Sequence, residues 1–268
     1  MGPPLEAIDV HAHYGVSRDQ PCARVGRWMS ADAAEVLRRA RRVHVAITVV
    51  SPLAGLMTHT AAGVERANRD AARVAAAHHA LRQWVIVDPR SRRTFDQAAE
   101  LLRAPWCVGI KIHPELHGYP IREHGRALFA FAERHGAVVL THSGQERSLP
   151  ADFVPLANAF PGVRLILGHL GFCIDGDPTR QVRAIQRCRH GNLYTDTSSA
   201  KSIIPRLLEW AVREVGAERI LFGSDTPLYF LANQRARVDA ADLPAAAKRR
   251  ILRDNAVRLL GLAPPHDH

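Results

Sequence analysis

The sequence predicts an α/β protein whose 268 residues build one (β/α)8 barrel. Three observations carry this. Eight short runs of aliphatic and β-branched residues recur along the chain, helical patterns lie between them, and no GxGxxG or Walker sequence follows the first run. Strands that alternate with helices pair in parallel, because each crossover returns the chain to the same end of the sheet. Eight such units at this length favour a closed barrel, whereas an open nucleotide-binding sheet would carry a phosphate loop.

The first strand, Ala7–His11, is a short apolar run that ends on a histidine. Val43–Val50 is longer and β-branched, and Trp84–Val87 is wholly apolar. Val108–Ile112 alternates and contains a lysine, while Ala137–Thr141 and Val163–Leu167 are near-continuous apolar runs of the kind parallel strands show when both faces are covered. Asn192–Thr195 and Arg219–Phe222 complete the set. Helical spacing is clearest in Ala31–Arg42, Ala61–His79, Phe95–Arg103, Ile121–His135 and Lys201–Val215. Ser30, Thr60 and Thr94 precede three of these, and Gly136 and Gly216 close two, as helix caps do. Residues 1–262 read as one domain, with Ala263–His268 a loose tail.

With 47% hydrophobic and 23% charged residues, the composition is that of a globular protein with a core, not of a disordered chain. The net charge of +10 raises nucleic acid as a partner, but only Lys111, Lys201 and Lys248 are lysine. The arginine clusters at Arg38–Arg42 and Lys248–Arg253 fall on helical faces, and no nucleic-acid motif accompanies them, so no nucleic-acid partner is expected. Cys22, Cys107, Cys173 and Cys188 are scattered without a CxxC pair, which fits a reducing compartment. Met1–Val10 lacks a secretory pattern and no run is long enough to span a bilayer, so a cytoplasmic protein acting on a small molecule, with homo-oligomers allowed, is expected.

A barrel of this type places its site where the strands end. His11 and His13 end the first strand, His113 the fourth, His142 the fifth and His169 the sixth, and Asp225 follows the eighth. Residues two apart share a strand face, so His11 and His13 both face the mouth, and two imidazoles held this way can grip one divalent ion. A lone histidine is usually a hydrogen-bonded structural group; five at equivalent strand ends are not explained that way. The His266–His268 run repeats the spacing but lies in the tail.

These motifs, Asp9-Val-His-Ala-His13, Gly109-Ile-Lys-Ile-His-Pro114, Thr141-His-Ser-Gly144, Gly168-His-Leu-Gly171 and Phe222-Gly-Ser-Asp-Thr-Pro227, resemble the amidohydrolase superfamily. The branch is the amidohydrolase-related one that includes aminocarboxymuconate semialdehyde decarboxylase, and the helical Asn255–Gly261 also resembles it. The resemblance implies His11, His13, His142 and Asp225 as metal ligands, with Asp225 also a catalytic acid-base group. It implies His169 as a catalytic residue off the metal.

One divalent ion is implied, zinc first, with manganese, iron, cobalt and nickel compatible with the ligand types and a second metal not expected. Such an ion lowers the pKa of bound water from 15.7 to about 7. The reading is a metal-dependent hydrolase in which activated water attacks an amide, lactone or ester carbonyl. The alternative is a non-oxidative decarboxylase or hydratase acting on an unsaturated or aromatic acid. The shortness of the chain relative to decarboxylases of the branch favours hydrolysis.

Lys111 and His113 share a strand face and are assigned to substrate binding. Lys111 is open to a structural pairing with Asp9 or Asp196 or, carbamylated, to a metal-bridging role; His113 to substrate contact, ligation or a structural bond. Asp196 is open to orienting a ligating histidine or capping the next helix, and Tyr14 and Glu115 to touching substrate from loops over the mouth.

Overall fold

The computed structural model describes residues 5–18 and 20–265. The His266–His268 run therefore lies outside the described residues. The strands are β1 (Ala7–Tyr14), β2 (Val45–Pro52), β3 (Leu81–Ile86), β4 (Cys107–Ile112), β5 (Val138–Thr141), β6 (Leu165–Leu167), β7 (Leu193–Asp196) and β8 (Ile220–Leu221). Each overlaps a predicted run. They form one eight-stranded sheet in sequential order, every neighbouring pair parallel.

The seam between β8 and β1 is drawn together by backbone bonds: Val10 N donates to Phe222 O at 2.9 Å, Asp225 N to His11 O at 2.7 Å and His13 N to Thr226 O at 2.7 Å. The chain thus folds as the (β/α)8 barrel expected.

Side-chain alternation sorts each strand into an inner and an outer face. Ile8, Val10, Trp84, Val138, Leu140, Ile166, Tyr194 and Leu221 form a buried cluster drawn from the strands with Ala256 and Leu259 of the Asn255–Leu260 helix. On β4, Ile110 and Ile112 belong to the cluster formed with the outer helices, which turns Gly109 and Lys111 inward. Gly109 has no freedom to carry a side chain: a Cβ there would meet the Val138 carbonyl and lie 2.7 Å from the Trp84 ring, whose Nε1 donates to Val10 O at 2.7 Å.

The predicted helix Lys201–Val215 is broken. A 3-10 turn spans Ala200–Ile203 and the α-helix begins only at Leu207, because Pro205 cannot continue a helix and Arg206 adopts φ 62°. The Ala31–Arg42 pattern resolves to Ala33–Arg41 with Asp32 as its cap, and Phe95–Arg103 to Arg92–Leu101. Helices at Pro150–Ala159 and Arg180–Arg187 fill the β5–β6 and β6–β7 crossovers, Ala23–Trp28 precedes Ala33–Arg41 between β1 and β2, and Leu231–Ala240 follows β8. No helix among the described residues is long and apolar enough to cross a membrane.

Candidate metal centre and active site

A cavity of about 240 Å³ opens at the carboxyl end of the barrel. His11, His13, Lys111, His113, His142, His169 and Asp225 all reach it, so every predicted site residue lies at one place. Their ligating atoms are not equivalent, however. His11, His13 and Asp225 are buried and offer ligand atoms that lie within 4.8 Å of one another. His142 stands outside that group: its Nδ1 meets His169 Nε2 at 2.9 Å and its Nε2 faces Gln145 Oε1 at 2.6 Å.

The outer nitrogens of the two β1 histidines are already engaged. His11 Nδ1 donates to Asp196 Oδ2 at 2.8 Å, and His13 Nδ1 donates to Ser51 O at 3.0 Å. Each bond selects the tautomer whose Nε2 lone pair points into the cavity, the arrangement that metal-binding imidazoles adopt. His13 Nε2 then faces Asp225 Oδ1 at 2.9 Å, two electron-rich atoms that need a proton or a cation between them. Burial raises the Asp225 carboxyl above its ordinary range, against the opposing pull of His13, and pushes His11 well below its own. These donors therefore fit a divalent cation.

The glycines of two motifs make room for this. A Cβ on Gly168 would lie 2.9 Å from His11 Cε1, and one on Gly223 would lie 2.9 Å from His11 Cβ. His169 and Asp225 have φ of 74° and 59°, a conformation that non-glycine residues adopt rarely and at a cost. Bonds from His169 N to Asp196 Oδ1, 3.1 Å, and from Asp225 N to His11 O hold them there.

Lys111 does not pair with Asp9 or Asp196. Its Nζ lies 2.8 Å from His11 Nε2, and burial lowers its pKa to about 8 although Asp225 and Asp196 pull it up. Both carboxylates are otherwise occupied: Asp9 takes the hydroxyl of Ser224 at 2.5 Å and its amide at 3.0 Å, and Asp196 takes His11 and Ser198. Of the two roles open to Asp196, it performs the orienting one; Ser199 caps the following turn.

His113 both stacks on His142, at 4.3 Å between ring centroids, and caps the Pro114–His117 helix by accepting from Leu116 N at 3.2 Å. Tyr14 and Glu115 do not touch the cavity. Tyr14 ends β1 and donates to Asp70 at 3.1 Å, and Glu115 accepts from Arg147 N at 2.5 Å.

Sequence reasoning missed Ser198 and Gln145. Ser198 Oγ bonds Asp196 Oδ1 and lies 2.9 Å from His169 Nδ1, so a chain of bonds runs from Asp196 through Ser198, His169 and His142 to Gln145. Their adjacency to Asp196 and to the Thr141–Gly144 motif was the available signal. Above this polar floor the walls include Leu53, Leu56, Met57, Phe172, Leu228 and Tyr229.

A closed barrel carrying two strand-end imidazoles and a carboxylate at one point belongs to the class of metal-binding barrel enzymes. More narrowly, a family model described as Amidohydrolase matches residues 8–262, and the chain belongs to that family. No curated protein sequence matches it significantly.

Among solved structures, 5-carboxyvanillate decarboxylase from Sphingomonas paucimobilis aligns at TM-score 0.77 and 15% identity over 97% of this chain and 100% of that one. A dihydroxybenzoic acid decarboxylase from Polaromonas sp. JS666, with bound manganese and 2-nitroresorcinol, aligns at 0.73 and 15% over 96% and 97%. A protein assigned as a 2-pyrone-4,6-dicarboxylic acid hydrolase from Pseudomonas putida aligns at 0.71 and 19% over 97% and 98%. At such identities the likeness establishes the shared fold. Proteins assigned as decarboxylases and as a hydrolase both align over nearly the whole chain, so the shared fold does not separate hydrolysis from decarboxylation.

Proposed function

We propose that the protein is a metal-dependent hydrolase of small carbonyl compounds, with His11, His13 and Asp225 holding one divalent ion and His142 the fourth group within the same cavity. The observation that carries this is the His13–Asp225 pair, in which a cavity-facing imidazole lone pair stands 2.9 Å from a buried carboxylate. A divalent ion held by these residues would supply Lewis acidity to a substrate oxygen or to water. Nitrogen and carboxylate donors suit zinc; manganese, present in the Polaromonas structure, is the other ion to load.

Asp225, with its raised pKa, is matched to accepting a proton from the attacking water and returning it to the leaving group. His169, whose Nε2 lies 2.9 Å from His142 Nδ1, would turn that nitrogen's proton toward negative charge developing on the carbonyl oxygen. Lys111 lies beside His11 and would steady the same charge. The test is a panel of aryl esters, lactones and amides, alongside hydroxybenzoic acids monitored for carbon dioxide, on zinc- and manganese-loaded protein. Metal-dependent hydrolysis abolished by Asp225→Asn is the expected result.

Decarboxylation is the second reading, favoured by the decarboxylases among the similar structures. In it an acidic group at the cavity floor would deliver a proton to carbon as carbon dioxide leaves. Carbon dioxide without hydrolysis would establish that reading and reject the first.

A further inference from the structure

We infer that the substrate's body, beyond the group that reacts at the polar floor, is uncharged and apolar, so that molecules carrying a second carboxylate are excluded. The inference rests on the metal-centred reading of the cavity. Its charged or basic lining groups are the five imidazoles, Lys111 and Asp225, and they are engaged with one another or with bonds at the floor: Lys111 with His11, His13 with Asp225, His142 with His169 and Gln145, and His113 with Leu116 N. No arginine lines the cavity among the described residues, although arginine supplies nearly all of the chain's basic groups.

What remains is Leu53, Leu56, Met57, Leu116, Phe172 and Leu228, with the neutral hydroxyls of Ser199 and Tyr229. A carboxylate pressed against such walls would lose its hydration and gain at most a neutral hydroxyl and no charged partner, a penalty that a neutral ring or short alkyl chain escapes.

A second observation points the same way. The exposed large apolar side chains among the described residues lie in segments that connect a strand's carboxyl end to the helix after it. Trp28 follows β1, Leu116 β4, Ile174 β6, Ile203 β7 and Phe230 β8. Leu116 and Tyr229 are members of this set that also line the cavity, so the apolar wall continues outward to the surface. The volume of about 240 Å³ is small for a ligand pocket and matches a single ring or a short chain.

The test is calorimetric binding of benzohydroxamate and 4-carboxybenzohydroxamate, a pair that presents the same chelating head and differs in one carboxylate on the body. With manganese-loaded protein the uncharged compound is expected to bind about tenfold tighter or more. The ratio should persist after chelation, although both affinities drop. Leu116→Arg places a guanidinium on the wall at a half-exposed position and should shrink the ratio. Equal affinities, a preference for the dicarboxylate analogue, or failure of both to bind metal-loaded protein would each overturn the inference. A protein that keeps the preference and hydrolyses nothing leaves the inference standing and rejects the proposed activity.

Discussion

Replacing Asp196 with asparagine tests the metal centre through an atom that never touches the ion. Asp196 Oδ1 receives three donors, from His169 N at 3.1 Å, Ser198 N at 3.0 Å and the Ser198 hydroxyl, so the oxygen of the new amide must stay on that side. Its NH2 then occupies the place of Oδ2, 2.8 Å from His11 Nδ1. Two donors cannot face each other, so the imidazole moves its proton to Nε2, and the lone pair aimed into the cavity is lost. Disturbing the group that fixes a ligating histidine typically costs 10- to 100-fold in metal affinity, about 1.4 to 2.7 kcal/mol. Competition against a chromophoric chelator near pH 7.5 measures this directly. Aspartate and asparagine are nearly isosteric, so the fold should persist, and matched far- and near-ultraviolet circular dichroism would document it. A folded Asp196→Asn protein whose zinc affinity lies within twofold of the parent would refute the tautomer reasoning.

Three further outcomes follow from other parts of the molecule. Adding zinc or manganese at 100 times its dissociation constant should stabilise the fold by about 2.7 kcal/mol, a rise in Tm of roughly 5–10 °C, and His13→Ala should abolish that rise in a thermal melt. Gly109→Ala drives a methyl group into Trp84 and the Val138 carbonyl and should cost about 3 kcal/mol, lowering Tm by about 6 °C or more; an unchanged Tm would show that β4 yields without penalty. Burial raises Asp9 from its ordinary 3.8 to about 7, against bonds from Ser224 and the His11 amide. The folded state therefore holds this proton more tightly than the unfolded chain, so the associated stability is complete below pH 3.8 and is lost as pH rises through about 7. Asp9→Asn, neutral throughout, should gain stability relative to the parent between pH 4 and 8 in urea titrations, and a constant difference across that range would contradict it.

The barrel was legible because its strands are near-continuous apolar runs separated by helical spacing, a pattern that depends on local sequence alone. The location of the site was legible for the same reason: His11, His13, His113, His142, His169 and Asp225 end those runs. The pairing of side chains was not. A carboxylate pairing was one role open to Lys111, yet Asp9 and Asp196 are filled by hydroxyl and amide donors that spacing cannot reveal, and the lysine meets an imidazole instead. Ser198 and Gln145 were missed because a serine two residues past Asp196 and a glutamine three past His142 acquire meaning only once the fold brings His169 between them. Tyr14 illustrates the opposite error, since a polar residue beside a motif turned away to Asp70.

The seam between β1 and β8 gives the site a mechanical side. His11 and Asp225 come from opposite ends of the polypeptide, and the amide of one is bonded to the carbonyl of the other at 2.7 Å. An ion gripped by both would act as a rivet through the joint where the first and last staves meet. Loss of the ion and parting of the staves would then be a single event, and a chelator would loosen the whole cask rather than only empty its mouth.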